Sequence, residues 1–319
     1  MQRWHTLAAH YNNKYGCRVQ KIPLDAGACC PNRDGTLSHD GCIFCNANGS
    51  GSGRAKRGHS LLQQWNALRA VYLRDDPNTR FVAYLQSFSN TYGPQKRLQQ
   101  LLQSVRSLPQ CFGVAVGTRP DCLDAPKLDT LAALDCDLWL ELGLQTAHNQ
   151  TLSRINRGHT AAQAEKAVCM AAERGIAVCA HLMAGLPGED ERHFLQSLDW
   201  ALALPIQGLK LHNVFVPKGT ALASLYAAGL YHPLWRDEYV DMLCAALPRI
   251  PSSLVIHRLQ SDPAPRELVA PTWATDKRGL LGDLRRALVA RDLWQGKSCD
   301  SPEGCPAIFL GAGGVSAGF

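Results

Sequence analysis

The chain has 319 residues, 46% of them apolar and 19% charged, which is enough to fill a sizeable core and excludes a disordered chain. Its formal charge of +6 and pI near 8.7 suit a polyanionic partner without requiring one. No apolar run reaches about 18 residues, so no helix is expected to span a membrane, and Met1-Gln2-Arg3-Trp4-His5 does not open a secretory signal, so the 13 cysteines are expected reduced in the cytoplasm.

Taken in chain order, apolar runs that read as strands alternate with helical stretches. Strands are predicted over 18–24, 81–88, 112–117, 138–144, 176–184, 208–216 and 254–259. Helices are predicted over 59–73, 94–108, 127–134, 161–174, 189–204 and 235–246. Leu128, Leu131 and Leu134, and again Leu195, Leu198 and Leu202, recur at helical spacing. The alternation argues a parallel sheet with helices outside it. Its pitch predicts an α/β fold, a partial (β/α)6 TIM-like barrel over residues 1–260. A C-terminal extension over 261–319 follows, with a Gly/Ser/Pro-rich tail from about 295 expected to pack poorly.

In such folds sites lie at the C-terminal ends of the strands, and polar residues gather there. Gln86-Ser87 ends the second predicted strand, Thr118-Arg119 the third and Gln145-Thr146 the fourth. His181 lies in the fifth, Lys210 and His212 in the sixth, and His257-Arg258 in the seventh. In the fourth, a period of two puts Trp139, Glu141, Gly143 and Gln145 on one face. A carboxylate directed into a barrel needs a partner, either a ligand hydroxyl or ammonium or a Lys or Arg within the barrel.

The loop over 27–57 carries the sharpest signal. Eleven residues separate Cys30 from Cys42 and two separate Cys42 from Cys45. Three thiolates in one loop suit a soft metal centre. A structural zinc site would need a fourth ligand, for which His39 is available, whereas three thiolates leave one iron of a [4Fe-4S] cluster open. Residues 46–57, rich in Gly, Ser and Ala, are expected to form a flexible flank. Cys299 and Cys305 lie five residues apart and offer too few thiolates for a second cluster.

Several motifs together carry a family resemblance. They are Cys-Pro-Asn-Arg-Asp-Gly-Thr at 30–36, Gly-Cys-Ile-Phe-Cys-Asn at 41–46, Val-Gly-Thr-Arg-Pro-Asp-Cys at 116–122 and Trp-Leu-Glu-Leu-Gly-Leu-Gln-Thr-Ala-His at 139–148. Arg-Ile-Asn-Arg-Gly-His at 154–159, Gly-Leu-Pro-Gly-Glu at 185–189, Gly-Leu-Lys-Leu-His at 208–212 and His-Arg-Leu at 257–259 continue the series. Over about residues 5–275 the chain resembles the radical S-adenosylmethionine (SAM) superfamily. More closely it is similar to the bacterial YhcC/YtqA group, whose radical domain is similar to that of the elongator catalytic subunit.

The resemblance implies that Cys30, rather than Cys29, joins Cys42 and Cys45 in holding a [4Fe-4S] cluster, with SAM on the fourth iron. One electron then cleaves SAM to a 5′-deoxyadenosyl radical, which abstracts hydrogen from substrate. The cofactor is expected to meet Gln86, Ser87, Glu141, Gln145, Arg157, His181, Met183, Gly185, Lys210 and His212, with Arg157 as a bidentate carboxylate clamp. At Gly185 the backbone is expected to approach the ligand. Thr118, Arg119, His257 and Arg258 are assigned to substrate. Elongator-like relatives act on tRNA wobble uridine, so a tRNA nucleobase is the expected substrate. An electron donor such as flavodoxin or ferredoxin is the expected partner. The alternatives are a radical SAM enzyme acting on a small metabolite and a zinc-stabilised RNA-binding protein without catalysis.

Overall fold

The computed structural model describes residues 2–49 and 51–299; Cys305 and the tail from residue 300 lie outside them. Seven parallel strands form one curled sheet, a half-barrel. They are β1 (Val19–Leu24), β2 (Arg80–Leu85), β3 (Cys111–Thr118), β4 (Asp137–Gln145), β5 (Ala177–Ala184), β6 (Gly208–Asn213) and, after the short β7 (Val216–Pro217), β8 (Val255–Arg258). The strands lie in chain order across the sheet, β7 standing apart in an antiparallel ribbon with β9 (Leu268–Ala270). All seven predicted strands are therefore present in the barrel sheet. The sixth is shorter than predicted because the chain leaves the sheet after Asn213 and forms the ribbon.

The period of two sorts each strand's residues between two environments. Leu140, Leu142 and Leu144 of β4, with Val178, Ala180 and Leu182 of β5, join the large core under the helices. Those helices are α1 (Leu7–Tyr15), α2 (Leu61–Asp75), α3 (Gln95–Arg106), α4 (Ala125–Ala132), α5 (Asn149–Arg154), α6 (Ala161–Ala172), α7 (Glu191–Leu202), α8 (Ala221–Ala227), α9 (Arg236–Ala246) and α10 (Lys277–Ala290). In α3 the buried residues Leu98, Leu102 and Val105 are four and three apart, one stripe facing the sheet. Ser60 with Gln63 and Thr160 with Gln163 form capping boxes that start α2 and α6.

The inner face is different. Towards the N-terminal end of the strands it is apolar, with Val82, Ala115, Trp139 and Val255 packing against Tyr11 of α1. Helix α1 stops that end of the barrel. Its Lys14 Nζ lies 2.7 Å from Asp137 Oδ2, and Tyr15 donates to the same carboxylate. Further up, the inner face turns polar and opens. No helix among the described residues is long and apolar enough to cross a membrane.

Candidate active site

A cavity of about 390 Å³ opens at the C-terminal ends of the strands. Cys30, Cys42 and Cys45 line one side of it, and polar residues from β2 to β6 and β8 line the rest. Cys29 is exposed and is not part of this wall, whereas Cys30 is buried in it.

The cysteine loop is held from three directions. Ile43 and Phe44, between the second and third cysteines, pack on a second apolar cluster that includes Ile155, Val216 and Leu222. Leu222 N donates to Ile43 O at 2.9 Å, which ties the loop to α8. The segment after α5 grips it from below. Ile43 N donates to Ile155 O at 3.1 Å, Asn156 Nδ2 to Gly41 O at 2.7 Å, and Asn32 Nδ2 to Asn156 O. The flank over 46–57, expected to be flexible, is anchored too. Phe88 N donates to Gly49 O at 3.1 Å and Ala55 N to Asp25 Oδ2 at 3.2 Å.

N–H groups surround the sulfurs. Arg157 Nη1 lies 3.6 Å and Asn32 Nδ2 3.8 Å from Cys42 Sγ, and Arg119 Nη1 lies 3.9 Å from Cys30 Sγ. Burial, with the neighbouring Cys42 and Cys30 thiols, pushes the Cys45 thiol up, while Arg33 works against it. Among the described residues no group of three or more His, Cys, Asp or Glu is placed to hold a single metal ion.

Two arginines expected to clamp a ligand are engaged inside the protein. Arg119 lines the cavity and forms a bidentate pair with Asp121, Nε at 2.9 Å and Nη2 at 2.7 Å. Arg157 donates through Nη2 to Gly143 O at 2.8 Å and through Nε to His159 Nε2 at 3.0 Å. Gly143 is needed for this, since a Cβ there would stand 2.6 Å from Arg157 Nη2 and from the folded-back amide of Gln145. The Arg-Ile-Asn-Arg-Gly-His motif thus braces the cysteine loop.

At the floor of the cavity, Glu141 has its partners within the barrel. Lys21 Nζ lies 2.5 Å from Oε1, Lys210 pairs with Oε2, His181 Nε2 lies 3.2 Å from Oε2 and His257 Nδ1 3.6 Å from Oε1. The Lys or Arg alternative is the one realised, and Glu141 and Lys210, both expected against the cofactor, serve each other. Gly117 and Cys179 are the strand neighbours of Glu141, small enough for the lysines to reach it. The lysines hold the Glu141 carboxyl well below the usual range against the opposing effect of burial. Burial pushes Lys210 down to about 8 and His181 to about 4.

His257 and Gly185 do not line the cavity. The His257 side chain is fully buried, its ring edge-on to Trp139 at 4.3 Å, which removes it from any substrate surface. Gly185, at φ +83, gives close approach to Leu234 rather than to a ligand: a Cβ would meet Leu234 Cγ at 2.8 Å. The other predicted positions do come together there: Gln86, Ser87, Thr118, Arg119, Glu141, Gln145, Arg157, His181, Met183, Lys210, His212 and Arg258 all line the cavity. Ser87 Oγ and His212 Nε2 are buried without a partner. Thr118 Oγ1 meets Thr91 Oγ1 at 2.7 Å, and the Arg258 side chain makes no hydrogen bond or ion pair with another described residue. Lys21, Tyr84, Asn32 and Asn156 were not foreseen. Lys21 and Tyr84 carried a readable signal, inward positions by the period of two in β1 and β2.

Buried neutral histidines make stability depend on pH. His181, His212 and His257 all sit below their ordinary value because burial disfavours the charged ring. The unfolded chain then binds protons first as pH falls below about 6.5, so stability is present above that range and declines as pH falls towards about 4. Urea unfolding at pH 7 and pH 5 is expected to give a lower midpoint at pH 5, and His181→Asn a smaller drop between the two; an unchanged midpoint in the wild-type chain contradicts this.

Comparison with known proteins agrees with this architecture. The Radical SAM superfamily profile matches residues 30–201, and the Radical_SAM C-terminal domain matches residues 206–289. The chain is 36% identical over 298 residues to YtqA of Bacillus subtilis, covering 93% of this chain and 92% of that protein. It is 34% identical over 278 residues to YhcC of Escherichia coli K12, covering 86% and 89%. Among solved structures, the archaeal Methanocaldococcus infernus Elp3 with an N-terminal deletion superposes with a TM-score of 0.67 at 16% identity; the match spans 86% of this chain and 63% of that one. With its parallel half-barrel and these matches, the chain belongs to the radical SAM superfamily and, within it, to the YhcC/YtqA group.

Proposed function

We propose that Cys30, Cys42 and Cys45 hold a [4Fe-4S] cluster, that SAM binds beside it in the cavity, and that the substrate is a tRNA nucleobase of the wobble-uridine type. The observation that carries the reading is the shared cavity: three soft sulfur donors and the polar ends of six strands open on one space of about 390 Å³. The donor set fits the group. The sulfurs have N–H donors around them, as cluster thiolates require, and the wall offers buried polar atoms with no protein partner, Ser87 Oγ, His212 Nε2 and Asn213 Nδ2 among them.

When bound, the cluster supplies the electron that cleaves SAM to the hydrogen-abstracting radical. The chain's own residues bind, orient and exclude water. Gln86, Ser87, Gln145, Met183 and His212 would contact SAM. Arg258 and Thr118 would face the substrate, Arg258 as the cation available to a carboxylate or phosphate. Glu141, with Lys21 and Lys210, holds the floor rigid beneath them. A flavodoxin- or ferredoxin-type donor would deliver the electron. The elongator-like resemblance and the charge of +6 support tRNA. The size of the cavity also suits a small metabolite.

Anaerobic reconstitution with iron and sulfide, then dithionite and SAM, tests the first part. Release of 5′-deoxyadenosine is expected, and none from a fully loaded chain rejects it. A tRNA nucleoside profile from a deletion strain tests the second. A missing or accumulated modified uridine is expected; an unchanged profile turns the reading to a small metabolite.

A further inference from the structure

Two buried arginines approach the cysteine sulfurs, and they differ in one respect. Arg119 reaches within 3.9 Å of Cys30 Sγ, but its Nε and Nη2 are paired with Asp121. Arg157 reaches within 3.6 Å of Cys42 Sγ, and its other donors meet neutral groups, Gly143 O and His159 Nε2. Because His159 accepts at Nε2 and places Nδ1 3.2 Å from Thr160 O, its ring carries a single proton and no charge. Among the described residues Arg157 has no ion pair. One guanidinium is therefore cancelled on the spot and the other is not.

We propose that Arg157 is a positioning residue that sets the reduction potential of the cluster through Cys42. Its uncancelled charge and its N–H toward Sγ favour the more negative, reduced state, while Arg119 contributes little because Asp121 cancels it. Hydrogen bonds to cluster sulfurs and net charge are the levers a protein has on such a potential, and both act more strongly in a buried, low-dielectric site. The inference rests on the proposed cluster ligands.

Arg157→Gln removes the charge and should lower the midpoint potential. Asp121→Asn releases the Arg119 charge and should raise it, an opposite shift that a merely structural role would not give. Removing both partners of the neutral pair, Arg119→Gln together with Asp121→Asn, is expected to move it least. The test is a redox titration of the anaerobically reconstituted full chain without SAM, followed by electron paramagnetic resonance, with iron and sulfide counted in each variant. A tenfold change in the oxidised-to-reduced ratio corresponds to about 59 mV for one electron, and we expect Arg157→Gln to shift the midpoint downward by at least that. A loaded Arg157→Gln chain with the wild-type midpoint, or the Arg119→Gln/Asp121→Asn double variant falling as far, overturns the inference. Should Arg157→Gln fail to load, Arg157→Met, which also removes the charge, decides: a downward shift sustains the inference and an unchanged midpoint ends it. Failure of the cluster reading would look different, as a wild-type chain that takes up no iron.

Discussion

Cys42→Ala is expected to leave a folded chain that holds no cluster and releases no 5′-deoxyadenosine. Cys42 is 6% exposed and faces the cavity, so the change removes one sulfur and little packing, at a cost on the order of 1 kcal/mol. The loop keeps its other anchors, the Ile43 and Phe44 contacts and the Asn32 and Asn156 hydrogen bonds. Two thiolates, however, cannot take the place of three around a cubane. Reconstituted wild-type chain should carry about four iron atoms, and the variant close to none, with an unchanged circular dichroism spectrum. Cys29→Ser is the control: its thiol is exposed and off the cavity wall, and iron content should match wild type. Wild-type iron in Cys42→Ala, or its loss in Cys29→Ser, would overturn the ligand assignment.

The strands were legible because apolar runs and their turns recur along the chain, and a parallel sheet buried on its helix-facing side leaves that pattern in full. The polar strand ends were legible for the same reason. What the period of two reports is which side chains point inward. It does not report which inward charges meet, because that depends on the curl of the sheet. Hence Glu141 was seen to need a partner, while Lys21, three strands away in the sheet, could not be matched to it. The inward partners of Arg119 and Arg157 were missed on similar grounds. Their partners Asp121 and His159 are only two residues on, but only the folded loop turns the guanidiniums back towards sulfur. Helix α1 went unpredicted because Leu7, Tyr11 and Tyr15 make a thin stripe among polar residues, although Thr6 before it and Gly16 after it are end signals. His257 shows the limit of arguing by strand end: the pairing of β8 with β6 skips it in a bulge, so that it and its neighbour Arg258 both turn inward, Arg258 to the cavity and His257 under the floor.

Glu141→Ala is expected to be the most destabilising single change at the site. The Glu141 side chain is fully buried, and those of Lys21 and Lys210 are 14% and 5% exposed. Two lysines already share one carboxylate, so the cluster carries an excess positive charge with it and two without it. Removing one partner of a buried pair leaves uncompensated charge and costs about 3–5 kcal/mol, far above the ~1 kcal/mol of an exposed pair. The sign of the pH dependence follows from Lys210, whose ammonium burial has already pushed down to about 8 against the effect of Glu141. Without the carboxylate it falls further. The unfolded chain, with an ordinary lysine, then binds the proton more tightly, and stability rises with pH up to about 10. The deficit of Glu141→Ala should therefore be largest near neutral pH and shrink by pH 9 to 10 in urea unfolding. Lys210→Met should cost less than Glu141→Ala, because Lys21 still balances the carboxylate, and adding it to Glu141→Ala should recover part of the loss. A deficit under 1 kcal/mol, or one that does not change with pH, would mean that the floor is held by its apolar neighbours and that the two lysines are charged only in passing.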